Sequence, residues 1–162
     1  MKILRNISVL ILSLVAVGYA NIKIPMYSAN TGKSVGYVIA QDSKYGLLLT
    51  PHLHDLPSGV HGFHVHSNPS CADHAMAAGG HLDPMNTDKH LGPFDEKGHL
   101  GDLPVLIVNK NGNADLPLLA PKLNEKLIEN HSLMIHAGGD NYSDHPQKLG
   151  GGGKRIACGV IP

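Results

Sequence analysis

Short apolar runs separated by turn residues recur along the chain, and no stretch carries the sustained helical period that a helix-built core would need. Runs of strand length occupy residues 22–27, 34–40, 45–50, 60–66, 103–108, 114–119, 132–136 and 156–161. Turn residues such as Asn30-Thr31-Gly32 and Asn109-Lys110-Asn111-Gly112-Asn113 fall between them. The pattern predicts an all-β sandwich or barrel. Leu123, Leu127 and Ile128 have helical spacing, which predicts one short helix or turn within 121–130 and leaves the class unchanged. Residues 67–101, rich in Gly, Pro, His and Asp, and residues 138–154, with Gly150 to Gly153 in a row, do not read as strands. Structureless segments this long are uncommon in a compact domain unless they are functional or disordered. Their histidines and the flanking cysteines argue that metal and a disulfide tie them down.

The first twenty residues read as an export signal. Lys2 and Arg5 precede an apolar stretch over 7–17, interrupted by Ser8 and Ser13, and Gly18-Tyr19-Ala20 is a small-x-small cleavage site. The stretch is short for a membrane span, which takes about 20 apolar residues. A cleaved signal peptide over 1–20 and a single domain over 21–162 are therefore expected, an uncleaved anchor being the alternative. Lys and Arg number 13, Asp and Glu 13, and losing Lys2 and Arg5 leaves only a slight acidic excess. That balance points to neither nucleic acid nor a membrane surface as partner, and favours small molecules.

Cys71 and Cys158 are the only cysteines, and an oxidising compartment outside the cytoplasm permits a bridge between them. Two buried thiols or a thiolate metal pair are the alternatives. Both are less favoured, because the two residues lie far apart and histidines already supply metal ligands.

The histidines are the chemical signal: 12 in 162 residues, concentrated rather than scattered. In Gly62-Phe63-His64-Val65-His66 the two imidazoles leave one face of a strand while Phe63 and Val65 enter the other. Such a pair chelates copper or zinc. His81, His90 and His99 recur at equal intervals, and Asp102 follows the last. Three imidazoles and a carboxylate complete a closed tetrahedral zinc shell, the form of a structural ion, which puts any chemistry at a neighbouring metal. His136 ends an apolar run, and Asp140 beyond it is a candidate partner for the second nitrogen of a metal-bound imidazole, a solvated loop aspartate being the alternative.

Together with Gly80-His81-Leu82-Asp83-Pro84, Lys89-His90-Leu91-Gly92-Pro93, Gly98-His99-Leu100-Gly101-Asp102, Met134-Ile135-His136 and Arg155-Ile156-Ala157-Cys158-Gly159-Val160-Ile161, these motifs resemble copper-zinc superoxide dismutases. Residues 56–71 and 138–153, including Asp140-Asn141-Tyr142-Ser143-Asp144-His145-Pro146, resemble the bacterial periplasmic branch. The resemblance implies an eight-stranded Greek-key β-barrel or sandwich, immunoglobulin-like, with a metal-binding loop and an electrostatic loop. It implies one copper per subunit on His64, His66, His81 and His136, and one zinc on His81, His90, His99 and Asp102, with His81 shared. It further implies that Asp140 links the two sites through His64 and His90, that Cys71 and Cys158 are bridged, and that Arg155 sits above the copper. The implied activity is dismutation of superoxide to dioxygen and hydrogen peroxide, with copper cycling between +2 and +1, His81 and Arg155 catalytic, and a periplasmic location. A homodimer is expected by the same analogy, with a monomer as the alternative, since some bacterial relatives are monomers and the chain has no Trp.

His52, His54, His74, His131 and His145 lie outside these motifs and are expected to have surface or loop-capping roles, and His61 a structural one. Lys89, Lys97, Lys148 and Lys154 fall in or beside the long loops, where they are candidates for steering an anion. The competing function is copper or zinc storage or delivery on the same fold. Complete ligand sets and the presence of Arg155 favour the enzyme.

Overall fold

Why the chain curls can be read from which residues share its core. In the computed structural model, which describes residues 21–162, β1 (Ile22–Ser28), β2 (Ser34–Ser43) and β3 (Gly46–Leu53) form an antiparallel meander. The export segment expected over 1–20 lies outside the described residues. After β4 (Gly59–His61) and β5 (Phe63–His66) comes the long loop, then β6 (Leu106–Val108), β7 (Leu118–Ala120), the one-turn helix α1 (Glu125–Ile128), β8 (Ser132–His136) and β9 (Arg155–Val160). Seven strands make one sheet in the order β5-β8-β9-β1-β2-β3-β7, and β4 pairs with β6. Phe63 of β5 and Leu47 and Leu49 of β3 come from distant parts of that sheet yet belong to one buried cluster with Ile24, Val38 and Leu133. A sheet that packs its two ends against each other must curl, so it wraps the core as a half-barrel. Each such fully buried side chain contributes about 1.5–3 kcal/mol.

Each expected run contains strand residues, with three departures in extent. The run at 60–66 is split at Gly62 into β4 and β5, which join different sheets. Only Leu106–Val108 of 103–108 and only Leu118–Ala120 near 114–119 form ladders. Pro104 and Pro117, which have no N–H to donate, precede the two surviving pieces, and Ala114 keeps a single bridge to Leu53. The helical spacing in 121–130 corresponds to α1, which Asn124 caps by accepting the Leu127 N–H at 2.9 Å.

β8 explains how one strand serves two faces. Leu133 and Ile135 enter the main core, while Met134 joins Ala75, Ala78 and Cys158 in a second cluster beneath the 71–79 segment. The Cys71–Cys158 disulfide, with Cα atoms 5.8 Å apart, fastens that segment to β9. All of Ser132–His136 is consequently buried.

Candidate metal centre

β5 exposes neither of its faces. Phe63 and Val65 fill the core, and His64 and His66 point the other way into a chamber roofed by the two long loops, at 0% and 1% exposure. The loops reach this strand by backbone pairing: the Val65 N–H donates to Gly101 O at 2.9 Å, the Leu82 N–H to Val65 O at 2.8 Å, and the Ser67 N–H to Gly80 O at 3.0 Å. His81 and Asp102 are thereby set opposite His66 and His64 as isolated bridges. Gly101 is required at the crossing, because a Cβ there would run into the Val65 carbonyl oxygen. His136 arrives from the adjacent β8.

The structure gathers two sets of ligand atoms, each within 4.8 Å of one another: His64, His66, His81 and His136, and His64, His81, His90 and Asp102. His99 falls outside the second grouping by that distance, yet its Nδ1 lies 3.5 Å from Asp102 Oδ1, which His81 Nδ1 and His90 Nδ1 each approach to 3.0 Å. His64, by contrast, has its Nε2 engaged elsewhere. Three Nδ1 atoms therefore converge on one carboxylate oxygen, and the Gly92 N–H occupies the other, Oδ2, at 3.1 Å.

Hydrogen bonds on the far side of each ring decide which nitrogen keeps its lone pair. His64 donates from Nε2 to Asp140 Oδ2 at 2.8 Å, and His90 from Nε2 to Asp140 Oδ1 at 2.7 Å. His66 donates from Nδ1 to the Gly79 carbonyl at 2.9 Å, and His136 from Nδ1 to the Gly153 carbonyl at 3.2 Å. The nitrogens left over point inward. His66 Nε2 and His136 Nε2 then face each other at 3.4 Å, lone pair to lone pair. His64 Nδ1, His81 Nε2, His90 Nδ1 and His99 Nδ1 are buried with no hydrogen-bond partner. Buried polar atoms normally find partners, and stranding one costs about 1–3 kcal/mol. Converging, partnerless imidazole nitrogens are what cations satisfy, displacing any proton that the nitrogens carry. The donor sets fit a metal with four nitrogens on one side and a metal with three nitrogens and an oxygen on the other.

Charge distribution in the metal-free protein follows the same division. Burial, aided by the neighbouring His81, lowers the pKa of His64 to about 3 and of His66 to about 2. Burial lowers His136 to about 4 and also lowers His81. Burial acts against the charged form of His90 as well, but the carboxylates of Asp102 and Asp140 outweigh it and raise His90 to about 9. Burial likewise disfavours ionised Asp102 and Asp140. The hydrogen bond from His81 and the close rings of His90 and His99 in one case, and the hydrogen bonds from His64 and His90 in the other, prevail and hold both well below the usual carboxylate range.

Arg155 lies at the start of β9 with its guanidinium clamped by three backbone carbonyls of the disulfide-bound segment: Ala75 at 2.6 Å, Met76 at 3.3 Å and Gly79. Gly79 O thus holds both Arg155 and His66. Such backbone acceptors, Gly79 and Gly153, leave no side-chain signal in a sequence. Asp144 accepts the His90 N–H at 2.9 Å and the Leu149 N–H at 3.1 Å, so it ties the second long loop to the first. It stands within the 140–146 motif, but its side chain alone assigns it no role. Gly150 sits where a Cβ would overlap Asp140 Oδ1.

The remaining histidines do other work. His61 is buried, with Nδ1 2.8 Å from the His136 carbonyl and Nε2 2.8 Å from that of Pro57. His131 Nδ1 donates to Ser67 O at 2.7 Å, His74 Nδ1 lies 3.2 Å from Ala29 O, and exposed His54 pairs with Asp55. His52 stacks on Tyr37 with centroids 4.8 Å apart, and His145 is exposed. Lys89, Lys97, Lys148 and Lys154 are all exposed.

Residues 35–161 match the family model described as copper/zinc superoxide dismutase (SODC). A protein named Superoxide dismutase [Cu-Zn] from Francisella tularensis subsp. holarctica is 57% identical over 143 residues, which cover 84% of this chain and 77% of that one. The solved Cu/Zn superoxide dismutase from Brucella abortus superposes with a TM-score of 0.84 at 48% identity, covering 88% of this chain and 100% of the other. A solution structure described as the monomeric copper, zinc superoxide dismutase from Salmonella enterica gives 0.77 at 52% identity, with the same coverage of 88% and 100%.

Proposed function

The chain belongs to the copper/zinc superoxide dismutase family, and from that premise we propose that its chamber dismutates superoxide, converting two superoxide ions and two protons to dioxygen and hydrogen peroxide. When bound, copper supplies the one-electron redox chemistry between +2 and +1, while zinc, which has none, fixes the shape of the site. The observation that carries the proposal is His81, whose Nε2 is buried without a partner on one side and whose Nδ1 faces Asp102 on the other.

In this reading His64 Nδ1, His66 Nε2, His81 Nε2 and His136 Nε2 hold copper, and the Nδ1 atoms of His81, His90 and His99 with Asp102 Oδ1 hold zinc. Asp140 fixes the tautomer of one ligand in each half. Arg155 docks the anion by charge and hydrogen bonding, and its clamp of carbonyls sets the guanidinium before substrate arrives. When its lone pair is not committed to copper, His81 Nε2 would hold a proton and release it to the departing peroxide. Complete ligand sets together with Arg155 favour this activity over metal storage or delivery.

A cleaved signal over 1–20, a single domain over 21–162 and a periplasmic location belong to the same proposal. The basic, apolar and small-x-small order of the first twenty residues supports export, and the disulfide supports an oxidising compartment. A homodimer is proposed as well, supported by the exposed cross-strand partners Val60 and Ile107, an apolar spot on the β4–β6 pair. Light scattering decides between it and the monomeric form described for the Salmonella protein. The role of Arg155 is tested by Arg155→Ile: superoxide turnover should fall at least about tenfold, the loss of one charged donor, and its dependence on salt should flatten. Unchanged turnover with an unchanged salt slope would remove Arg155 from the mechanism.

A further inference from the structure

Lys122 follows β7 in the strand-to-helix connection, in a part of the chain that supplies no metal ligand. Its side chain is nevertheless committed to the metal-bearing loop. Nζ donates to the carbonyl oxygens of Gly92 at 3.2 Å, Asp95 at 2.8 Å and His99 at 3.0 Å, contacts that span 30, 27 and 23 residues of sequence. An ammonium carries three N–H donors and no acceptor, so all three are used. The residue is half-buried, and hydrogen bonds from a charged donor are about twice as strong as neutral ones.

The fastened carbonyls bracket the site. Gly92 is gripped from two directions, its carbonyl by Lys122 and its N–H by Asp102 Oδ2 at 3.1 Å. That second bond keeps Oδ2 occupied and turns Oδ1 toward the three imidazole Nδ1 atoms. The His99 carbonyl is held directly, and the His99 N–H donates to Lys89 O at 2.9 Å, next to His90. A single ammonium therefore holds His99 directly, Asp102 through Gly92, and Lys89, the neighbour of His90, through His99. Apart from the pairing of Gly101 and Asp102 at its end, the 90–102 segment has no ladder or helix of its own to fix it.

We propose that Lys122 is a positioning residue for the zinc half of the centre, a latch that holds the loop bearing His90, His99 and Asp102 in its metal-ready shape through the carbonyls of Gly92, Asp95 and His99. The proposal rests on the zinc assignment above. Without the ammonium, three carbonyls lose their donor, the grip on Gly92 is one-sided, and the carboxylate is free to turn.

The test measures zinc dissociation constants of the purified protein by chelator competition, for the native chain, Lys122→Met, Lys122→Gln and His99→Ala. It also records the visible absorption of cobalt(II) placed in the zinc site and the melting temperature of each metal-free chain. Loss of a partner that orients metal ligands costs about 10–100-fold in affinity. Lys122→Met should therefore raise the zinc constant by about that factor and alter the cobalt(II) spectrum, while the metal-free melting temperature stays within about 3 °C of the native value. Lys122→Gln, which keeps two N–H donors but no charge, should fall between, and carries the comparison if Lys122→Met does not fold. Native zinc affinity, or a native cobalt(II) spectrum, in a folded variant would overturn the latch, as would a fall in metal-free stability with no change in zinc affinity. If His99→Ala binds zinc as tightly as the native chain, the zinc assignment itself falls. If His99→Ala weakens zinc and neither Lys122 variant does, only the latch falls.

Discussion

Replacing Asp140 by asparagine changes one atom and disturbs both halves of the centre. The carboxylate side chain is fully buried. It accepts the His64 Nε2–H at 2.8 Å, the His90 Nε2–H at 2.7 Å and the Tyr142 N–H at 2.7 Å. An amide offers one acceptor oxygen and one NH2 group. Whichever way it turns, NH2 meets an imidazole N–H, donor against donor, and the other imidazole exchanges a charged acceptor for a neutral one. The opposed ring relieves the clash only by moving its proton to Nδ1, which withdraws the lone pair meant for the metal. A stranded buried donor costs about 1–3 kcal/mol, which agrees with the 10–100-fold loss of metal affinity typical of such partners, about 1.4–2.8 kcal/mol. Asp140→Asn should therefore weaken copper and zinc binding together by about 10–100-fold, read by competition against chelators of known affinity. Retention of both affinities within about twofold, or loss of one with the other untouched, would refute the claim that this carboxylate couples the two halves.

Two further outcomes follow from the same geometry. The disulfide closes a separation of 87 residues, worth about 4–5 kcal/mol in the chain-entropy model. Cys71→Ser should thus lower the melting temperature by about 10–15 °C in calorimetry, and a shift under about 3 °C would contradict that reading. Metal-free stability should also depend on pH in two directions. His64, His66 and His136 have folded pKa values of about 3, 2 and 4 against 6.5 in the unfolded chain. The unfolded state binds more protons in between, so stability falls as pH drops below 6.5 toward 4. His90, raised from 6.5 to about 9, contributes fully below 6.5 and loses its contribution as pH rises through 9. The metal-free melting temperature should accordingly be higher near neutrality than at about pH 5 or about pH 9.5. A rise on acidification to about pH 5 would show that these rings are not held neutral.

What could be read from the sequence depended on whether a feature resided in side-chain type. Alternation in Phe63-His64-Val65-His66 placed two imidazoles opposite two core residues, and the spacing of His81, His90, His99 and Asp102 marked a ligand set before any fold was known. Strand extents were less legible where a proline or the loop crossing intervened, as at Pro104, Pro117 and Gly62. The orientation of the rings was hardly legible at all. It depends on the Gly79 and Gly153 carbonyls, and on Gly92 held between Asp102 and Lys122, contacts made by backbone atoms that every residue possesses. Asp140 shows the intermediate case. Spacing alone left it as readily a solvated loop aspartate, the family resemblance singled it out, and its side chain is buried against both His64 and His90.

We infer that the four-nitrogen side of the chamber does redox work on superoxide while the other side does not. Stepwise loading of the metal-free protein, zinc first and then copper, with superoxide decay followed directly after a radiolytic pulse, tests it. Decay should be absent with zinc alone and rise in proportion to copper until one ion per chain is bound. Copper taken up to one per chain without catalytic decay of superoxide would contradict the account and leave a protein that carries metal without turning it over.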